Sequence, residues 1–350
     1  MSILIAILVF GLIILIHEFG HFLLAKKCGI GVVEFSIGMG PRLCSFVKGE
    51  TRYSIKILPF GGSCMMLGED ENETDPRAFN NKPVWARIAV IAAGPVFNFL
   101  LAWVLALVLV RAAGYDSPQL IGVLDGFSAQ EQGMQAGDII TAMDGEPVVI
   151  YRDVTLHMLT DPVNPVTVEY KRPLEDGTYE TRTALVTPKY SEENGGYMLG
   201  IEVSGYRQPA DSAGTVLKYG TYEVCYWVKV VIKSLGMMVR GQIGADDMAG
   251  PVRMVSIIDD TVEETITYGW DVMLLNVANL CVLLSANLGV MNLLPIPALD
   301  GGRLVFLLIE AVRGKPIDKE KEGMVHLAGM ALLMCLMILV LFNDISTLFL

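Results

Sequence analysis

Apolar residues in this chain gather into long runs, and four of the runs match the ~20 residues needed to cross a hydrocarbon core. They cover residues 3–25, 88–110, 272–294 and 325–342. Between the first two, Tyr53, Ile55 and Ile57 alternate with Arg52, Ser54 and Lys56, a strand pattern inside the glycine-rich stretch 32–63. Backbone polar groups near a membrane must be paired or must line water. Two readings fit this stretch: a hairpin dipping toward the bilayer, and a plain cytoplasmic loop with two strands. Residues 119–203 read as a compact soluble domain of short strands and turns, with a short helix near 128–135. Residues 215–239 are apolar but broken by Lys218, Glu223, Lys229 and Lys233, which suits an amphipathic helix on the membrane surface better than a span.

Composition agrees. Of 350 residues, 53% are hydrophobic and 18% charged, below the ~25% charged content of soluble domains. The first run holds His17, Glu18 and His21, lacks a basic n-region and a small-residue cleavage site, and reads as a retained span. The net charge of −12 falls in residues 111–271, which hold 12 Lys/Arg against 24 Asp/Glu. The short segments 26–87 and 303–321 are denser in Lys and Arg, which places them on the cytoplasmic side and the acidic block outside. No basic patch suggests nucleic acid. Six cysteines without metal spacing read as free thiols. The second run contains Gly94-Pro95 and Asn98, which predicts a kinked, closely packed helix.

The candidate chemistry is HEFGH, residues 17–21. Positions i and i+4 share a helix face, so two imidazoles can meet one ion, with Glu18 beside them to reach a water. The chain has four histidines and spends two here. A charge deep in an apolar helix costs ~2.5–3.5 kcal/mol on insertion scales, so a function or a partner is expected. A hydrolytic zinc needs a third protein ligand and an open position. Asp300, in NLLPIPALDGG (292–302), is the best candidate, with Gly301 and Gly302 permitting close backbone approach. Asp300 also fits as the cap of a helix beginning near Arg303, and both roles can hold together.

HEFGH with NLLPIPALDGG resembles the site-2 protease family of intramembrane zinc metalloproteases, closest to the bacterial regulator-of-sigma-factor proteases. GPVFNF (94–99), PFGG (59–62) and AGPV (249–252) add to the resemblance, and DGGR stands where some relatives have DGGH. The segment 128–148 resembles a single PDZ domain. The implied fold is a polytopic α-helical membrane protein with a membrane-associated β-hairpin and an inserted PDZ-like α+β domain. Its expected parts are a membrane core over 1–114, the PDZ-like domain over 115–205, a membrane-surface linker over 206–270 and a second membrane core over 271–350. The resemblance implies Zn2+ held by His17, His21 and Asp300, with Glu18 as catalytic base and Asn292 near the substrate or the developing oxyanion. It also implies single-span membrane substrates, such as anti-sigma factors or remnant signal peptides already cut by another protease. The implied location is the bacterial plasma membrane, with the active site toward the cytoplasm and the PDZ-like domain outside. The strand bearing Tyr53, Ile55 and Ile57 is expected to pair with an unwound substrate. His157 and His326 read as structural. A metal transporter and a non-catalytic membrane scaffold are the competing classes, and neither needs HExxH, a DGG turn and a peptide-binding domain together.

Overall fold

The computed structural model describes residues 2–69, 73–192, 194–204, 207–244 and 250–349. Two units result, Met1–Ala106 with Gly241–Leu350, and Leu107–Arg240. Ala249 of the AGPV motif lies outside the described residues.

In the first unit, α1 (Ser2–Lys27) is apolar apart from His17, Glu18 and His21 and ends on Lys26 and Lys27, whose charges suit a helix C-terminus. β1 (Val32–Lys48) and β2 (Thr51–Met66) pair antiparallel from Lys48↔Thr51 out to Val32↔Met66. The ribbon then folds back on itself. Glu34, Phe35, Ser36 and Ile37 also partner Arg52, Tyr53, Ser54 and Ile55, with both numbers rising together as in parallel strands. Gly38 sits at the fold at φ +85°, where a Cβ would lie 2.4 Å from the Leu58 carbonyl oxygen, so only glycine serves. This arrangement corrects one expectation. Tyr53 and Ile55 have strand partners on both sides, so their segment offers no open edge to a substrate, and Ile57 of the same strand is exposed.

α2 (Val84–Ala113) contains Pro95 and runs out of the first unit into the second. The second unit continues through β3 (Leu120–Val123), the single turn α3 (Ser128–Glu131), β4 (Ile139–Met143), β5 (Glu146–Pro147), α4 (Tyr151–Thr160), β6 (Val166–Pro173), β7 (Tyr179–Val186), β8 (Lys189–Ser191), β9 (Gly196–Met198), β10 (Ile201–Val203) and α5 (Ala213–Val239). Its main sheet runs β5-β4-β6-β7, and β3 pairs with β10. Ile140, Met143, Val166, Val168, Tyr170 and Val186 form the core, alternating along β6 with exposed positions, as a half-covered sheet requires.

Three of the four charges that interrupt the apolar run of α5 are paired within this unit. Glu223 pairs with Arg152, Lys229 Nζ lies 2.8 Å from Asp153 Oδ1 and Lys233 Nζ lies 2.6 Å from Glu146 Oε2. Tyr226 is buried against Ile150 and Leu156, while Leu217, Ile232 and Val239 are exposed. The expected linker over 206–270 is thus two helices in different units, since α6 (Pro251–Ile266) belongs to the first.

α6 buries Ile258 and Val262 against Ala6, Val9 and Ile13 of α1. α7 (Trp270–Leu293), α8 (Asp300–Arg313) and α9 (Lys319–Phe349) complete the first unit. The buried Asp344 of α9 accepts from the amides of Gly250, Val252 and Arg253, satisfying the open N-terminus of α6. Among the described residues, four helices are long and apolar enough to cross a membrane: Ile3–Lys27, Val84–Ala113, Trp270–Leu293 and Glu320–Ser346. The chain is a polytopic helical membrane protein.

Candidate metal centre

His17 and His21 lie one helical turn apart on α1, both buried against α2. Gly94 of α2 makes room for them. A Cβ there would stand 2.3 Å from His21 Nε2 and 2.7 Å from His17 Cε1, so any side chain would displace the rings. His21 Nδ1 donates to the Val90 carbonyl at 2.9 Å. His17 Nδ1 lies 3.1 Å from Asn98 Nδ2.

Asp300 arrives from the far end of the sequence. α7 stops where Pro295 and Pro297 forbid regular helix, and Ala298 takes φ +76°, a costly conformation for a residue with a Cβ. The Ala298 amide donates to His326 Nδ1 at 3.0 Å, so His326 of α9 holds this strained loop. Gly301 and Gly302 serve the same loop rather than the metal. Added Cβ atoms would lie 2.1 Å from the Leu294 oxygen and 2.5 Å from the Ile296 oxygen. Asp300 opens α8 in its first turn, and Leu299, the capping position, makes no side-chain cap.

The result is a triangle. His17 Nε2 and His21 Nε2 are 3.2 Å apart, and Asp300 Oδ2 stands 3.2 and 3.3 Å from them. Metal–ligand bonds of ~2.0–2.1 Å at a tetrahedral angle give edges of about 3.3 Å, so the three atoms fit one zinc ion. Asp300 Oδ2 is buried and makes no hydrogen bond of sound geometry, an orphan that a cation would satisfy. No other group of His, Cys, Asp and Glu among the described residues converges in this way.

Glu18 stands beside the triangle and lines the same cavity of about 240 Å³, with Gly62, Ser63, Cys64, Met66, Glu69, Leu299 and Arg303. The Cys64 backbone N–H faces the Glu18 carboxylate. Residues 62–66 have strand partners on one side only among the described residues, and Gly62, Ser63, Cys64 and Met66 line the cavity. Burial, with the Glu18 charge adding to it, pushes the Cys64 thiol up. Glu69 and Arg303 form an ion pair at the cavity wall. Asn292, in the last turn of α7, is not among the residues lining the cavity. Sequence reasoning missed Asn98 as a partner of His17; its signal was a polar side chain inside a span, two residues beyond the Pro95-Val96 step.

Three facing ligand atoms in a chain with four bilayer-length helices define a candidate metal centre in a membrane protein. The description "peptidase family M50" matches residues 5–336, and the chain belongs to that family. A Clostridium acetobutylicum protein named as a zinc metalloprotease is 39% identical over 98% of this chain and 97% of its own length. Zinc metalloprotease RasP of Bacillus licheniformis is 33% identical, and regulator of sigma-W protease RasP of Bacillus subtilis 32%, each over 98% of both chains. The protein is therefore a membrane zinc metalloprotease of the site-2 protease type.

Proposed function

We propose that His17, His21 and Asp300 hold the zinc ion and that Glu18 is the general base of an intramembrane endopeptidase. The observation that carries this reading is the near-equilateral triangle of two Nε2 atoms and an orphaned carboxylate oxygen, with a second carboxylate beside it. When bound, zinc supplies Lewis acidity, lowering the pKa of water and polarising a carbonyl. Glu18 takes the proton from the attacking water as the new C–O bond forms. It returns that proton to the departing amine nitrogen as the C–N bond breaks.

A helical substrate hides its carbonyls in i to i−4 hydrogen bonds and must unwind first. The free edge of residues 62–66, beside Glu18, is the strand we assign to pair with the unwound segment, in place of the doubly paired Tyr53 and Ile55. The substrates on this reading are single-span membrane proteins, such as anti-sigma factors or remnant signal peptides, cut in regulated intramembrane proteolysis. The name of the Bacillus subtilis relative supports the first class. The triad lies toward the Lys26-Lys27 end of α1, which supports a cytoplasmic-side site in a bacterial plasma membrane. The second unit, read as PDZ-like, would stand outside and screen substrates already trimmed, with the exposed apolar residues of α5 resting on the bilayer.

Glu18→Gln tests the chemistry. Cleavage in vesicles should fall about 10²–10⁴-fold with zinc content unchanged, and membrane fragments accumulating in cells that carry this variant would name the substrates. Undiminished cleavage would remove Glu18 from the mechanism.

A further inference from the structure

We infer that Asn98 is a positioning residue for the zinc site: its amide oxygen accepts the Nδ1–H of His17 and so fixes the ring with its Nε2 lone pair toward the metal. The inference rests on His17 being a ligand.

Asn98 is fully buried in α2, and its amide touches His17 at 3.1 Å. Nitrogen and oxygen of such an amide are interchangeable in shape, so the hydrogen-bond network decides which faces the ring. With Nδ2 toward Nδ1, the amide would donate, His17 Nδ1 would be the acceptor, and the ring proton would move to Nε2. That proton would point at His21 Nε2 and Asp300 Oδ2, where a lone pair is needed. The same orientation leaves Asn98 Oδ1 buried without any hydrogen-bond partner. Rotating the amide by half a turn brings that oxygen to His17 Nδ1 and restores the metal-binding tautomer.

His21 provides the internal control. Its Nδ1 donates to a backbone carbonyl, that of Val90. Ligating histidines are generally held this way, by an acceptor on the ring nitrogen remote from the metal. His17 has no backbone carbonyl in that role, and Asn98 stands in its place. The backbone of Asn98 is itself anchored, because the buried Ser285 of α7 donates to its carbonyl at 2.8 Å. The span that leads into the Asp300 loop thus also steadies the partner of His17.

The experiment is zinc competition against a chromophoric chelator, using the purified full-length chain in detergent. Asn98→Leu should weaken zinc binding about 10–100-fold, the usual cost of losing such a partner. Asn98→Asp, which can accept but not donate when ionised, should stay within about threefold of the parent, a threshold well below that range. If Asn98→Asp binds as weakly as Asn98→Leu, the amide donates and the inference is overturned. Parent-like affinity in Asn98→Leu overturns it as well. Should the leucine variant fail to fold, the aspartate variant against the parent decides alone. His17→Ala separates the two readings. Zinc retained in that variant sinks the ligand assignment, whereas zinc lost there but kept in Asn98→Leu sinks only the positioning role.

Discussion

Asp138 in the second unit and Asp300 in the first are both carboxylates set among packed elements, yet their surroundings differ in kind. Asp138 is fully enclosed and fully answered. Arg172 Nε donates to Oδ1 at 2.7 Å, Arg172 Nη2 donates to Oδ2 at 2.7 Å, and the Gln135 amide donates to Oδ2 at 2.9 Å. Asp300 faces two imidazole nitrogens without a sound hydrogen bond to either and keeps a buried oxygen orphaned. A buried charge costs several kcal/mol unless it is paired. On the proposed reading, a zinc ion completes the unanswered arrangement in the first unit. Satisfaction marks structure here, and organised dissatisfaction marks the site.

The largest effect should follow from Asp300→Ala. Cleavage should vanish and zinc content should drop, because two histidines alone leave the ion an incomplete set. The thermal midpoint of the metal-stripped chain should not fall and should if anything rise, since a buried carboxylate without a sound hydrogen bond is removed. Metal analysis with thermal unfolding in chelator checks both halves. A metal-free midpoint that collapses would show Asp300 to be a structural acid and would erase the contrast.

Asp138→Asn should do the reverse. Removing one charge of a buried pair costs about 3–5 kcal/mol, because it strands the other. Arg172, whose guanidinium the Asp138 hydrogen bonds hold firmly protonated, would keep its charge with too few acceptors. Proteolysis of the second unit should accelerate, while zinc affinity of the first unit stays at the parent value. A loss of zinc in this variant would mean that the two kinds of carboxylate are not separable.

The same division governs how much of the molecule is legible in its sequence. The spans are legible because hydropathy over bilayer length is a property of composition, and HEFGH is legible because both histidines sit within one helical turn. Asp300 is only nominated by its Pro- and Gly-containing segment and takes a ligand role from the family resemblance, since its partners are some 280 positions away and no local pattern brings them together. The fold-back of the hairpin is invisible for a related reason. Period two identifies strands at Tyr53, Ile55 and Ile57, but a second register against Glu34 and its neighbours depends on a bend at Gly38. The charges of α5 have the spacing of a water-facing stripe, whereas Glu223, Lys229 and Lys233 meet partners spread over Arg152, Asp153 and Glu146. Asn98 escapes for the same reason, since its polar amide is conspicuous in a span but its partner His17 lies 81 positions earlier.

A smaller test asks whether satisfaction marks structure within the catalytic unit too. Glu34 is buried in β1 and bound on both oxygens by Arg42, at 3.0 Å from Nε and 2.5 Å from Nη2, with Lys56 Nζ at 3.8 Å. The Arg42 hydrogen bonds hold its carboxyl at about 2, below the ordinary 4.5. A depressed carboxyl contributes stability that is fully present above 4.5 and is lost as pH falls through about 2. Arg42→Gln should return Glu34 toward its ordinary value, so the variant should unfold more readily than the parent at pH 7. That gap should narrow as pH falls below 4.5, because the parent alone still has this contribution to lose. Hydrogen exchange of the hairpin amides at both pH values reads the difference, and zinc affinity at pH 7 should match the parent. A gap that widens in acid would reverse the sign and take Arg42 out of the account. A fall in zinc affinity would instead make this pair part of the site, and full pairing would then no longer separate scaffold from chemistry in the unit that holds both.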